Sequence, residues 1–163
     1  VEIIDPSELH QEELGLSRAG FDRIEFLFAP NPGEPFKPLK AIASSGEMAR
    51  VMLALKTVLA SQDSIPVLVF DEVDSNIGGE TAGVVGEKMK RIGAMRQVLC
   101  ITHLAPVAAA GHQHYLVSKE IVEGRTLTRV VQLDDANRVE ELTRMLGGGG
   151  AAARRHAAEL LDG

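Results

Sequence analysis

The chain has no tryptophan, one tyrosine and one cysteine, and aromatic residues make up 4% of its 163 positions. A single cysteine rules out an intrachain disulfide framework. Cys100, inside the apolar run Val98 to Ile101, reads as a core residue of a reduced, intracellular protein and not as a nucleophile. No apolar run approaches the length that spans a bilayer and no signal-like start is present, so no membrane partner is expected. Positive charge is in deficit: 17 Lys and Arg against 23 Asp and Glu give a net charge of -6, which leaves no overall basic surface for a nucleic-acid backbone. A DNA partner would have to be met through a local patch or through another part of the molecule. Also missing is any Gly-x-x-x-x-Gly-Lys-Ser/Thr. The run Gly147 to Gly150 is followed by alanines, so it ends a helix as a hinge or linker and cradles no phosphate.

What is present is enough apolar material, 45% of residues, for one sizeable core, and one domain or lobe is expected over residues 1–163. The start at Val1 points to a segment of a longer protein. Residues 1–40 read as helical turns, a strand over Arg23 to Ala29 and a loop with four prolines between Pro30 and Pro38. Residues 41–133 form the core, and 134–163 supply C-terminal helices.

The most informative stretch is Val67 to Gly79. Four apolar residues run into Asp71 and Glu72, which reads as a strand buried on both faces that delivers two carboxylates to one edge. Ionised carboxylates at the mouth of a core need compensation, and a divalent cation with a phosphate supplies it. Glu80 to Ile92 predicts an amphipathic helix with Ala82, Val85, Met89 and Ile92 inward, and Val98 to Thr102 predicts a second apolar strand ending at His103. Two buried strands separated by a helix should be parallel. Asp71, Glu72 and His103 would then meet at the edge where open α/β sheets bind ligands.

Upstream, Ala43-Ser44-Ser45-Gly46-Glu47 opens a helix whose apolar positions are Met48, Met52, Leu55 and Leu59. Its start can offer backbone N–H groups and a serine hydroxyl to an anion; an ordinary serine cap gives the same pattern. Further on, His112 and His114 read as strand-edge hydrogen-bonders, since no third metal ligand is near. A hairpin is predicted from His114 to Lys119 and Thr126 to Leu133 through Glu123-Gly124, followed by helices over Asn137 to Leu146 and Ala151 to Leu161, the second with Arg154, Arg155 and His156 exposed.

Taken together, Ser44-Ser45-Gly46-Glu47, the apolar-Asp71-Glu72 strand, the turn from Asp74 and Thr102-His103 resemble, in order, the signature motif, Walker B, D-loop and switch histidine of ABC-type ATPases. From about Phe36 onward the chain is similar to the RecN family, the SMC-like ATPases of bacterial DNA repair. The likeness includes Phe70-Asp71-Glu72-Val73-Asp74, Gly111-His112-Gln113-His114-Tyr115, Val117-Ser118-Lys119-Glu120 and Arg144-Met145-Leu146-Gly147-Gly148. The resemblance implies an α/β ABC-type ATPase head lobe with a mostly parallel sheet flanked by helices and without its P-loop lobe.

It further implies that ATP and Mg2+ are bound, with Asp71 holding Mg2+ through water, Glu72 polarising the attacking water and His103 contacting the γ-phosphate. Ser44, Ser45, Gly46 and Glu47 would meet a nucleotide held by a second head in a homodimer, and Asp74 and Ser75 would form the D-loop. The P-loop would come from an N-terminal lobe of the same protein, beyond a long coiled coil, so the chain alone should bind ATP weakly and hydrolyse it hardly at all. DNA would be met through other parts of the molecule, in the bacterial cytoplasm at the nucleoid. Two departures stand out: Ser45 replaces the first signature glycine, and Asn76-Ile77-Gly78 replaces Ala-Leu-Asp. Two other readings are a DExD-type helicase fragment, which should carry Ser-Ala-Thr after the next strand, and a non-catalytic dimerisation module.

Overall fold

Residues 24–29, 32–41, 44–62 and 64–163 are described by a computed structural model. The chain divides into two units, Val1–Ser44 and Ser45–Gly163. In the first, β1 (Leu27–Phe28) pairs antiparallel with β2 (Lys37–Pro38), and a short 3-10 turn follows over Leu39–Ala41. The Leu39 N–H donates to the Phe26 carbonyl at 2.7 Å, and Lys40 pairs with Glu25 at 2.9 Å. Of the strand foreseen over Arg23 to Ala29, the described residues pair as a strand at Leu27 and Phe28 only. The helical turns foreseen before Asp22 lie outside the described residues, as do Arg23 and Ala43.

The second unit holds α1 (Ser45–Val58), β3 (Val67–Phe70), α2 (Gly79–Gly93), β4 (Gln97–Cys100), α3 (Ala105–Ala109), β5 (His114–Val122), β6 (Arg125–Leu133), α4 (Asp135–Met145) and α5 (Ala151–Asp162). As the apolar runs predicted, β3 and β4 are parallel, in register from Val67 with Gln97 to Phe70 with Cys100. The β3 ladder continues one step beyond the strands, where the Ile101 N–H donates to the Phe70 carbonyl at 2.9 Å. The architecture is α/β with helices flanking small sheets. Among the described residues the sheets are all two-stranded, and only β3 with β4 is parallel. The other long pair, β5 with β6, is antiparallel because two residues join it, Glu123 and Gly124, both at positive φ, and so short a turn can only reverse the chain.

The core forms where α1, α2 and α3 meet one face of β3. Leu53, Leu68, Phe70, Val73, Ala82, Val85, Met89, Ile92 and Val107 pack together there, so the four α2 positions foreseen as inward are all buried. Gly86 lets α3 come close: a Cβ on it would lie 2.9 Å from the Pro106 carbonyl. Two expectations fail in this layer. First, β3 is buried on one face only. Leu68 and Phe70 face the helices, whereas Val69 is 64% exposed and Val67, Leu99 and Ile101 are exposed with it. A run of four apolar residues looks the same whether one face or two are covered. Second, the spacing of Met48, Met52, Leu55 and Leu59 does not mark the inward face of the helix: Met52 is exposed, as is Leu59 just past the end of α1, and Gly46, Ala49 and Leu53 face inward instead. Apolar residues surround this helix, so their spacing does not set its phase.

A smaller cluster joins α3, α4 and α5 through Ala105, Leu142 and Ala157. The α4 helix opens on Asp134, whose carboxylate accepts the Asn137 N–H at 2.8 Å. It closes at Gly147, Gly148 and Gly149, all at positive φ, where side chains are disfavoured. Among the described residues no helix is long and apolar enough to cross a membrane.

Candidate active site

The site grows from the end of β3. Phe70 and Val73 are both buried, and the two carboxylates between them, Asp71 and Glu72, are exposed. The chain turns sharply here, with Glu72 at φ 57° just before buried Val73 and Asn76 at φ 58° just after Ser75. Asparagine tolerates that region; for glutamate it costs about 1–2 kcal/mol. The turn is held by the Ser75 N–H donating to the Glu72 carbonyl at 3.0 Å and by the Glu72 N–H donating to Asp71 Oδ1 at 2.9 Å.

The start of α1 packs onto this turn. The Ser45 hydroxyl donates to the Glu72 carboxylate. Gly46 is buried so tightly that an added Cβ would lie 2.8 Å from the Ser75 Cβ and 3.0 Å from the Glu72 carbonyl. One helical turn later, Arg50 Nη1 donates to the Ser75 carbonyl at 2.9 Å and the Val73 carbonyl at 3.3 Å. Arg50 was not among the residues singled out in the sequence. Its spacing of four from Gly46, which puts both on one helix face, is the signal that points to it. Ser44 and Glu47 are both half-buried, just before and within the first turn of α1.

From the end of β4 come Thr102 and His103. Asp74 is only 2% exposed, and one of its oxygens, Oδ2, accepts from the Thr102 hydroxyl and from the His103 N–H at 3.0 Å. His103 Nδ1 lies 3.4 Å from the same oxygen, while the ring is 73% exposed. Thr102 also receives the Leu104 N–H at 3.1 Å. The parallel pair therefore carries Asp71, Glu72 and His103 on one edge, as its topology required, with Ser45 beside Glu72 and Asp74 beneath His103. Ser75 lends its carbonyl to Arg50 and its Cβ to the packing of Gly46.

The electrostatics separate chemistry from structure. Burial, aided by the negative charges of Asp74 and Asp71, pushes the Cys100 thiol up to about 12, which leaves it protonated and unreactive at neutral pH. The ring of His114 bonds the Ala108 carbonyl at 2.7 Å, and burial, then the Arg138 charge, lowers its pKa. Among the described residues no cluster of three or more His, Cys, Asp or Glu side chains could enclose a metal by itself. The exposed carboxylate of Asp71 is a hard oxygen donor suited to Mg2+, a cation that takes one or two carboxylates and completes its shell with water and substrate phosphates.

No family model matches the chain. Among curated proteins, it is 50% identical over 139 residues to the DNA repair protein RecN of Xylella fastidiosa strain 9a5c, covering 85% of this chain and 25% of that protein. It is 43% identical over 148 residues to RecN of Bacillus subtilis strain 168 (90% and 26%) and 41% identical over 157 residues to RecN of Haemophilus influenzae Rd (95% and 28%). Among solved structures, an SMC ATPase studied for ATP-driven dimerization and DNA-stimulated activation aligns with a TM-score of 0.49 at 20% identity, covering 76% of this chain and 81% of that one. The SMC head domain from Thermotoga maritima aligns at 0.44 and 30% identity, covering 63% and 37%. The chain spans about a quarter of the length of the curated relatives it matches. It belongs to the RecN family of DNA repair proteins, to whose C-terminal part it corresponds.

Proposed function

We propose that this chain is the C-terminal part of an ATP-binding and ATP-hydrolysing head of an SMC-like protein that repairs DNA double-strand breaks in the bacterial cytoplasm. The observation that carries the reading is the convergence of Asp71, Glu72 and His103 on one edge of the β3 and β4 pair, with the start of α1 bonded to Glu72. Phosphoryl transfer asks the protein mainly for positioning and charge stabilisation, and these residues divide that work. Glu72, on an exposed turn, accepts a hydrogen bond from the attacking water and aligns it. His103 faces the γ-phosphate from the end of β4. Asp71 would hold Mg2+ through water, and the cation would supply charge neutralisation to the phosphates.

The phosphate-cradling loop comes from an N-terminal lobe of the same protein. Ser44, Ser45, Gly46 and Glu47 reach a nucleotide held by a second head, with Asp74 and Ser75 in the D-loop between them, so ATP joins two heads and its hydrolysis releases them. DNA is held by other parts of the molecule. Thr102-His103 stands where a DExD-type helicase would carry Ser-Ala-Thr. The test is ATP turnover by this chain alone, by a P-loop lobe of a RecN relative alone, and by the two coexpressed. Turnover in the mixture only is the expected result; robust turnover by this chain alone, or none in the mixture, would refute the proposal.

A further inference from the structure

We infer that Asp74 acts within its own chain as the positioning residue for His103, fixing the ring with Nδ1 protonated and Nε2 turned outward; the inference rests on the ATPase reading only for its catalytic consequence. Asp74 is the one nearly inaccessible carboxylate described in the chain, and burying a carboxylate is costly unless donors surround it. Its Oδ2 accepts hydrogen bonds from the Thr102 hydroxyl and from the His103 N–H at 3.0 Å, and the His103 ring Nδ1 stands 3.4 Å from the same oxygen, within ion-pair distance. The first holds the Thr102 side chain, the second holds the backbone at His103, and the third brings one ring nitrogen to the carboxylate.

An ionised carboxylate can only accept, so the nitrogen that faces it is the one that carries a proton. The other nitrogen, Nε2, is left on the exposed side of the ring, where a phosphate approaching the edge of β3 and β4 would meet it. Asp74 itself is held from the other side. Arg50 draws in the carbonyls of Val73 and Ser75, on either side of Asp74, and Val73 is fully buried. The arrangement links the signature helix, the turn after Walker B and the switch histidine through one buried carboxylate. This is the logic by which a buried acid orients a working histidine in other enzymes.

The direct test is 15N NMR of the histidine ring nitrogens in this chain, at a pH where the rings are neutral. Wild type should show His103 in the Nδ1–H tautomer, and Asp74→Asn, whose amide can donate to Nδ1, should shift it toward Nε2–H. A wild-type His103 in the Nε2–H form, or a tautomer unchanged by Asp74→Asn, overturns the inference; the wild-type spectrum decides even if the variant fails to fold. In a head completed with a P-loop lobe, Asp74→Asn should lower kcat about 10–100-fold with KM for ATP unchanged. A fall in ATP binding with kcat preserved would reduce Asp74 to a structural role and also overturn it. A wild-type head that turns over no ATP refutes the functional reading, while the NMR result still decides the Asp74–His103 pairing.

Discussion

Two of the places where this chain takes left-handed backbone conformations, the end of α4 and the end of β3, use different residues to do it. After α4, three consecutive positions at positive φ are glycines, Gly147, Gly148 and Gly149, and space for a Cβ is open at each. After β3, the positions at positive φ are Glu72 and Asn76. The first region only ends a helix, and it takes the residue that does so without strain. The second keeps a glutamate where glycine would be easier, and that glutamate is exposed at the end of a parallel strand, beside Asp71 and under the Ser45 hydroxyl. Positive φ alone marks no site, since Glu123 takes it in the β5–β6 turn; at Glu72 it coincides with the end of a parallel strand, with Asp71 and with the Ser45 hydroxyl, and that coincidence supports the proposed role of the turn after β3.

The largest effect is expected from Glu72→Gln in a completed head, which keeps the shape of the turn and removes the base: steady-state turnover should fall roughly 10²–10⁴-fold. Gly46→Ala should come next. Its Cβ would press on the Ser75 Cβ and the Glu72 carbonyl, costing about 1–3 kcal/mol in urea unfolding of this chain. Gly148→Ala should cost about 1–2 kcal/mol through φ alone, with no clash and no change in turnover.

Smaller and of opposite sign, Glu72→Gly should abolish activity while raising stability by up to about 1 kcal/mol, and Asn76→Gly should gain less. If Glu72→Gly destabilises the chain, the strain argument fails. The smallest effect concerns pH. His114 holds a proton less readily in the fold because burial lowers its pKa, so the unfolded chain binds more protons there and stability should fall as pH drops below about 6.5. The urea midpoint of His114→Gln should show less of that fall than wild type.

The sequence made some of this legible. Because β3 and β4 are apolar runs separated by an amphipathic helix, their parallel pairing follows, and with it the meeting of Asp71, Glu72 and His103. The Glu123-Gly124 turn made the β5 and β6 hairpin readable in the same way, although it extends further than Lys119. Three features were not readable, each for a physical reason. Asp74 sits in a turn, where polar residues are taken to face water, and its burial depends on Val73 being pulled into the core. Arg50 lies on a helix with apolar residues all round, so its spacing of four from Gly46 gains meaning only once Gly46 is seen to pack on the turn after β3. The open face of β3, with Val69 exposed, depends on what covers the strand, which local pattern does not encode.

The central claim is that this chain carries half of a site shared between heads. Its most direct test is the mass in solution of a Glu72→Gln head, this chain joined to a P-loop lobe, with and without ATP and Mg2+. The account predicts that the mass doubles when ATP and Mg2+ are added and returns to that of one head when they are removed. A mass that stays at one head while nucleotide is bound would contradict it.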